Sequence, residues 1–450
     1  MSLTMMKKKA YLALLIALAL LLSGCTLKSV DPVADAAQVI LNVNGEKVTK
    51  AQMATLVNNY TNNLLNTDMN ALYYYYYYGR LPYSNTELLD QTITAVTRSM
   101  VQEQQAVKQG FDKLTDEELS QVQADAEARF EETIQEEITE HFADSELTGD
   151  ELHAAAVAHA AEEGVTLDSF LDSLKKQKTV DKLRESVVKD VSVTDEEVKA
   201  DFDAKVASQK ETYDASPAAY IEALNNNEDI FYVPAGVRYV KHILIQYPEE
   251  ASTAITDAKS KVTDAQSDLD SANKAVTDAG EQVTDEIKQA VTDAEKALAD
   301  AQAALDEAVN AANAQIKDKA DEAYAKAVEE GADFDALVAE YGEDPGMKSE
   351  PYLSEGYPVA EGASYDEAFL AASLALEKVG DVTEPVVSSF GMHIIRFESE
   401  AAAGEAVFED HAEDIRDELL TARQNEVYNA ALQGWIDASD VKSFPAKMGL

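Results

Sequence analysis

From Glu249 to Ala323 the chain has no aromatic residue, no proline and no histidine, and its one glycine is Gly280. Apolar residues recur there in sevens. Ile255, Val262, Leu269 and Val276 form one series, and Ala258, Ala265, Ala272 and Ala279 follow each by three positions. After Gly280 the pattern resumes, with Val291, Leu298 and Leu305 against Ile287, Ala294, Ala301 and Ala308. A heptad of this kind commits a segment to a long helix with a seam for another helix. Two seams around one glycine predict an antiparallel coiled-coil hairpin, with arms of roughly 29 residues, about 44 Å long at 1.5 Å per residue. Alanine at one seam position lets the arms approach closely. A single long helix is the competing reading. The repeated Val-Thr-Asp-Ala words read as a solvated face beside the seam.

The flanking sequence is different in kind. Val237 to Ile245 is β-branched and strand-like. After the hairpin, Asp333 caps a helix over 334–341, Asp344-Pro345-Gly346 makes a turn, and a helix is predicted from about Asp366 to Lys378. A strand near 385–388 and the strand Met392 to Phe397 close this unit. Upstream, Val39, Leu41 and Val43 alternate before the hairpin turn Asn44-Gly45. Thr49 with Gln52, Thr115 with Glu118 and Thr194 with Glu197 are capping boxes that open helices. Helical patterns cover 86–109, 115–142, 149–163, 167–189, 194–207 and 408–437, whereas 60–85 and 208–236 show no clear period. The run Tyr73 to Tyr78 is six tyrosines long. It reads as low complexity, with client contact through large amphipathic rings as the functional alternative.

The N-terminus is a targeting signal. Lys7, Lys8 and Lys9 precede an apolar run from Ala10 to Leu22, too short to span a bilayer, which takes about 20 residues. It ends in Leu22-Ser23-Gly24-Cys25, which looks like a bacterial lipobox, and Cys25 is the sole cysteine. Cys25 is therefore the expected lipidation site. Removing residues 1–24 takes away three lysines and no acid, moving the net charge from −47 to −50. The predicted location is the extracytoplasmic face of the membrane, held by acyl chains. The acidity excludes nucleic acid as a partner and predicts cationic or neutral clients. One cysteine excludes a disulfide framework and Cys-rich metal sites. No cofactor and no metal is expected.

Six histidines are present, and two of them sit in strand-like words, KHILI (His242) and MHIIRF (His393). A histidine in a strand is more often a satisfied core residue than a catalyst, but two in mirrored contexts can meet across adjacent strands. The words KHILI, EEGADFDALVAEYGEDPG (329–346), AFLAASLALEKVGDVTEPV (368–386) and SSFGMHIIRF (388–397) resemble the parvulin (rotamase) domain of peptidyl-prolyl cis-trans isomerases. The layout is similar to the PrsA/SurA-type extracytoplasmic foldases, with Val43-Asn44-Gly45-Glu46 at the opening of the N-terminal region.

The residues and the resemblance together predict an α+β fold in five parts, the hairpin being a departure from the family's pattern. These are a signal peptide (1–24), a lipidated tether (25–37), a helical chaperone region (38–233), a parvulin domain (234–398) interrupted by the hairpin (250–311), and a C-terminal segment (399–450) that completes the chaperone domain. The resemblance implies a catalytic set of His242, Asp344 and His393. Substrate contacts fall on Leu353, Tyr365, Phe369, Ser388 at the rim, and Phe390. Tyr365 departs from the methionine common in the family, and the Gly-Asp-Leu-Gly word is replaced by Ser349 to Gly356. The implied function is a foldase acting on Xaa-Pro bonds of unfolded secreted proteins, with a homodimer as a possible assembly. The alternatives are an inactive holdase chaperone, or a structural surface lipoprotein using its coiled coil as a docking arm.

Overall fold

The computed structural model describes residues 31–143, 145–162 and 164–450. Cys25 and the targeting segment lie outside the described residues. After a single helical turn at Pro32–Ala36, the order is β1 (Val39–Val43), β2 (Glu46–Thr49), α1 (Lys50–Thr67), α2 (Met69–Tyr78), α3 (Asn85–Lys108), α4 (Asp116–His141), α5 (Gly149–Glu162) and α6 (Leu167–Val188). Then come α7 (Asp195–Ala215), α8 (Pro217–Asn225), β3 (Tyr232–Val233), β4 (Arg238–Gln246), α9 (Glu249–Ala279), α10 (Asp285–Ala327) and α11 (Phe334–Tyr341). The chain closes with β5 (Tyr357–Val359), α12 (Glu367–Ala375), β6 (Val386–Val387), β7 (Gly391–Glu400), β8 (Gly404–Glu405), α13 (Phe408–Asp437) and β9 (Val441–Ser443).

Two compact units result, one from the described residues up to Val193 with Glu418–Leu450, the other from Thr194–Asp417. In the first, Asn44 and Gly45 both take positive φ (55° and 95°), as the tight β1–β2 turn requires. The last strand, β9, joins the free edge of β1, so the sheet order is β2-β1-β9. Ile40, Leu41 and Met53 pack there with Leu89, Val101, Val188, Tyr428 and Leu432, so the two ends of the chain share one core. The capping boxes at Thr49 and Thr115 are formed, and Ser84 with Glu87 and Thr166 with Ser169 supply two more. The segment 60–85, which has no clear period, is helical nonetheless up to Tyr78 apart from the break at Asp68. Asp68 caps α2, and the tyrosine run lies along it, with Tyr73, Tyr76, Tyr77 and Tyr78 exposed.

The second unit is built on the antiparallel sheet β5-β4-β7-β6. Ile243 pairs with Ile394 and Ile245 with Met392, and these residues turn one face of the sheet toward α10 and α11, where Ile316, Ala320, Ala323, Phe334 and Val338 cover it. The opposite face carries Val240, Ile395 and Phe397 against Phe369 and Leu376. Between β4 and the rest of this sheet the chain leaves for two long helices, α9 and α10, joined through a short 3-10 turn at Gly280–Gln282. The residues of both seven-residue series are the ones turned inward. Ile255, Ala258 and Ala265 are buried, and Val262, Leu269, Val276, Ile287, Val291, Leu298 and Leu305 are half-buried, while their neighbours are exposed. The base of this pair is sealed by Ile255, Ala312 and Ile316 within the core of the domain.

The stretch 208–236 is also more regular than its sequence suggests. Helix α7 runs on to Ala215, and Pro217 opens α8 at the first helical position, where its missing N–H costs nothing. Tyr213, Tyr220 and Ile221 pack against Val237, Ala360 and Ala363. Residues 194–233, grouped by sequence with the N-terminal region, therefore cluster with the sheet that carries the paired histidines.

Candidate functional site

The site begins with strand register. Leu244 lies opposite His393 and His242 opposite Ile395, so the two histidines are diagonal neighbours on one face. Their Nδ1 atoms are 2.9 Å apart. His242 Nε2 lies 2.9 Å from Asp344 Oδ2, and His393 Nε2 lies 2.7 Å from Ser388 Oγ. Both rings are buried. Asp344 comes from the turn after α11; its Oδ1 accepts from the Gly346 N–H at 2.9 Å, and Oδ2 accepts from the Tyr357 hydroxyl at 3.0 Å. A Cβ at Gly346 would stand 2.0 Å from that hydroxyl, so glycine here is a requirement of close approach.

Burial pushes the Asp344 carboxyl upward, but the hydrogen bonds from His242, Gly346 and Tyr357 outweigh it and hold the group at about 2. Burial, helped by the neighbouring His242, lowers His393 to about 3, so its ring is neutral near neutral pH. Tyr357 is raised, first by burial and then by Asp344. Ionised Asp344 only accepts, so His242 donates to it from Nε2. One proton lies between the two facing Nδ1 atoms, and His393 Nε2 pairs with the Ser388 hydroxyl. Ser388 in turn accepts from the Phe390 N–H at 3.0 Å. Every polar atom of the relay is satisfied, which fixes the rings as rigid, oriented dipoles.

An apolar floor adjoins the relay. Phe369 is 4% exposed. Its ring lies 5.2 Å from that of His242 and 5.1 Å from that of His393. Tyr365 stands 5.7 Å from Phe369 and donates its hydroxyl to the Pro358 carbonyl at 2.8 Å. Two expectations change. Leu353 is 42% exposed on the single turn Tyr352–Glu355, and Tyr357 holds the inward position instead. Ser388 is buried as the end of the relay rather than placed at a rim, while Phe390 beside it is 61% exposed. Tyr357 was invisible to sequence reasoning because nothing local marks it. It reaches Asp344 only because β5 pairs with β4, Tyr357 opposite Val240.

The PPIC-type PPIase domain family (Rotamase) matches residues 301–399. This stretch is a parvulin-type rotamase domain. The match starts within α10, the second helix of the long pair, and the strand with His242, upstream of it in the chain, joins this region by pairing with β7. The chain is 31% identical to the foldase protein PrsA of Clostridium botulinum (strain Hall) across 112 residues, 25% of this chain and 33% of that protein. It is 39% identical to foldase protein PrsA 4 of Bacillus cereus across 108 residues, 23% of this chain and 36% of that one. The matched part thus spans about a third of the curated relatives' length. A solved SurA-like chaperone of Campylobacter jejuni aligns over 74% of this chain and 96% of its own at 18% identity, with a TM-score of 0.30. The rotamase domain thus contains both the relay and the Phe369 floor.

Proposed function

We propose that this protein is a lipid-anchored, extracytoplasmic peptidyl-prolyl cis-trans isomerase and foldase for secreted proteins. One observation carries the activity: an ionised, fully hydrogen-bonded Asp344 tied to two buried histidines beside Phe369. An Xaa-Pro bond crosses a barrier of roughly 20 kcal/mol without any covalent bond breaking. A planar amide bears more negative charge on its carbonyl oxygen than a twisted one. A fixed carboxylate near that oxygen therefore raises the planar state relative to the twisted one, and only such a differential lowers the barrier. Phe369 and Tyr365 would seat the proline ring. The histidines act as positioning residues that hold Asp344 ionised and oriented, not as general bases.

The test is cis-trans exchange of an Xaa-Pro peptide with the full chain. Asp344→Ala should lower kcat/KM by about a hundredfold, the scale of losing one preorganised electrostatic group. Exchange indistinguishable between the wild-type chain and an Asp344→Ala/His242→Ala variant would refute the enzymatic reading. Cys25→Ala should release the protein from the cell surface, and retention of that variant would refute the anchor. A holdase role is supported separately by the exposed tyrosines of α2. It predicts that the Asp344→Ala/His242→Ala variant still suppresses client aggregation, whereas replacing Tyr73, Tyr76, Tyr77 and Tyr78 by serine abolishes suppression.

A further inference from the structure

Helices α4 and α5 of the first unit contain a second histidine cluster. Glu137 and His141 stand one turn apart on α4, and His159 projects from α5. Glu137 Oε2 lies 2.9 Å from His159 Nδ1 and 3.9 Å from His141 Nε2, so one carboxylate oxygen faces both imidazoles. The two rings are 4.7 Å apart and inclined by 37°. One ligand atom from each residue lies within 4.8 Å of the other two. Around a tetrahedral zinc ion with bonds near 2.0–2.1 Å, donors stand about 3.3 Å apart. Small side-chain rotations would close the present set to that spacing.

The surroundings favour a site over a chance surface pair. Glu137 is only 16% exposed. The Phe142 ring meets His159 edge-on at 5.9 Å. Phe142, Ile138 and Val157 pack on Ile134, Ala156 and Ala160 in one apolar cluster, which gives the donors a rigid, low-dielectric backing. Glu131 and His153 pair with each other at 2.9 Å, outside the three-donor group. We propose that Glu137, His141 and His159 bind a borderline divalent cation of the zinc type, leaving a fourth position open to water. Two imidazoles and a carboxylate suit such an ion better than calcium or magnesium, which prefer all-oxygen sets. The ion would cross-link α4 to α5.

The experiment is calorimetric titration of Zn2+ into the chelator-treated full chain, paired with thermal unfolding. The expected result is one saturable site per chain and a rise in Tm on loading. His141→Ala and His159→Ala should each abolish that site, and Glu137→Gln should weaken it at least tenfold, while His153→Ala binds as the wild type does. Circular dichroism of the metal-free variants checks that the helices persist. Should His159→Ala unfold the pair, the more exposed His141→Ala carries the decision. No saturable uptake by the full chain, or uptake unchanged in both histidine variants, overturns the proposal.

Discussion

Asp344→Asn isolates the charge at the centre of the rotamase relay. The amide keeps the shape of the carboxyl and can still accept from His242, but it is neutral. The Asp344 carboxyl drops from an ordinary 3.8 to about 2 in the folded chain, through the bonds from His242, Gly346 and Tyr357. At 1.36 kcal/mol per unit that is about 2.5 kcal/mol for a fully shielded group. The side chain is 20% exposed, and solvent screening reduces the contribution to about 1–2 kcal/mol. Because the pKa is depressed, this stabilisation is complete above the unfolded value near 4 and disappears as pH falls through about 2. The assay is hydrogen exchange at the β4 and β7 amides, each corrected for its intrinsic rate. At pH 7 the variant should exchange roughly 5–30-fold faster. Asparagine resembles the protonated acid, so the two proteins should converge toward pH 2. Equal exchange at pH 7, or a gap that persists unchanged at pH 2, would show that the carboxylate is not held as argued.

Three further outcomes follow from the same geometry. Tyr357→Phe removes one donor to Asp344 and should cost about 1 kcal/mol; in a pH titration of the Asp344 carboxyl by NMR its midpoint should rise, and no rise would deny Tyr357 its role. Gly391→Ala places a Cβ 2.0 Å from the Ile245 carbonyl oxygen at a φ of +152°. Relief must move the turn that holds Ser388 against His393, so a large loss of Tm and of rotamase activity is expected, and near-wild-type values for both would contradict the tight packing. Replacing 262–301 by a short turn keeps Ile255 and Val309 and should leave kcat/KM for a short Xaa-Pro peptide unchanged; a tenfold loss would mean that the outer part of the helix pair serves the reaction itself.

Much of the local structure was legible because it is written in short-range chemistry. Thr49, Thr115 and Thr194 cap helices through a glutamine or glutamate three residues on. Helix α13 begins at Phe408 and ends at Asp437, the bounds its pattern predicts. The seven-residue series names, residue by residue, the inward faces of α9 and α10. The tyrosine run and the stretch 208–233 were illegible for the converse reason. Six identical side chains carry no periodicity, and the α7–α8 junction is decided by packing of Tyr213 on Tyr220, which no local rule encodes.

The candidate site divides along the same line. His242, Asp344, Phe369 and His393 could be named from words in the chain, and all four meet in the structure. Leu353 could not be placed correctly, because only the β5–β4 register turns Tyr357 inward and leaves Leu353 in solvent. Nor did the sequence show Ser388 as the buried end of the hydrogen-bonded chain. What the sequence determined by itself was which segments are helix or strand, and which residue types could do chemistry together. Hydrophobic period and capping act within a few residues, so they survive in one dimension. Only the tertiary structure decided which hydroxyl reaches Asp344, and that Glu137, His141 and His159 converge. Hydrogen-bond distance between residues far apart in the chain is set by strand register and helix packing, and neither is a property of any short stretch of sequence.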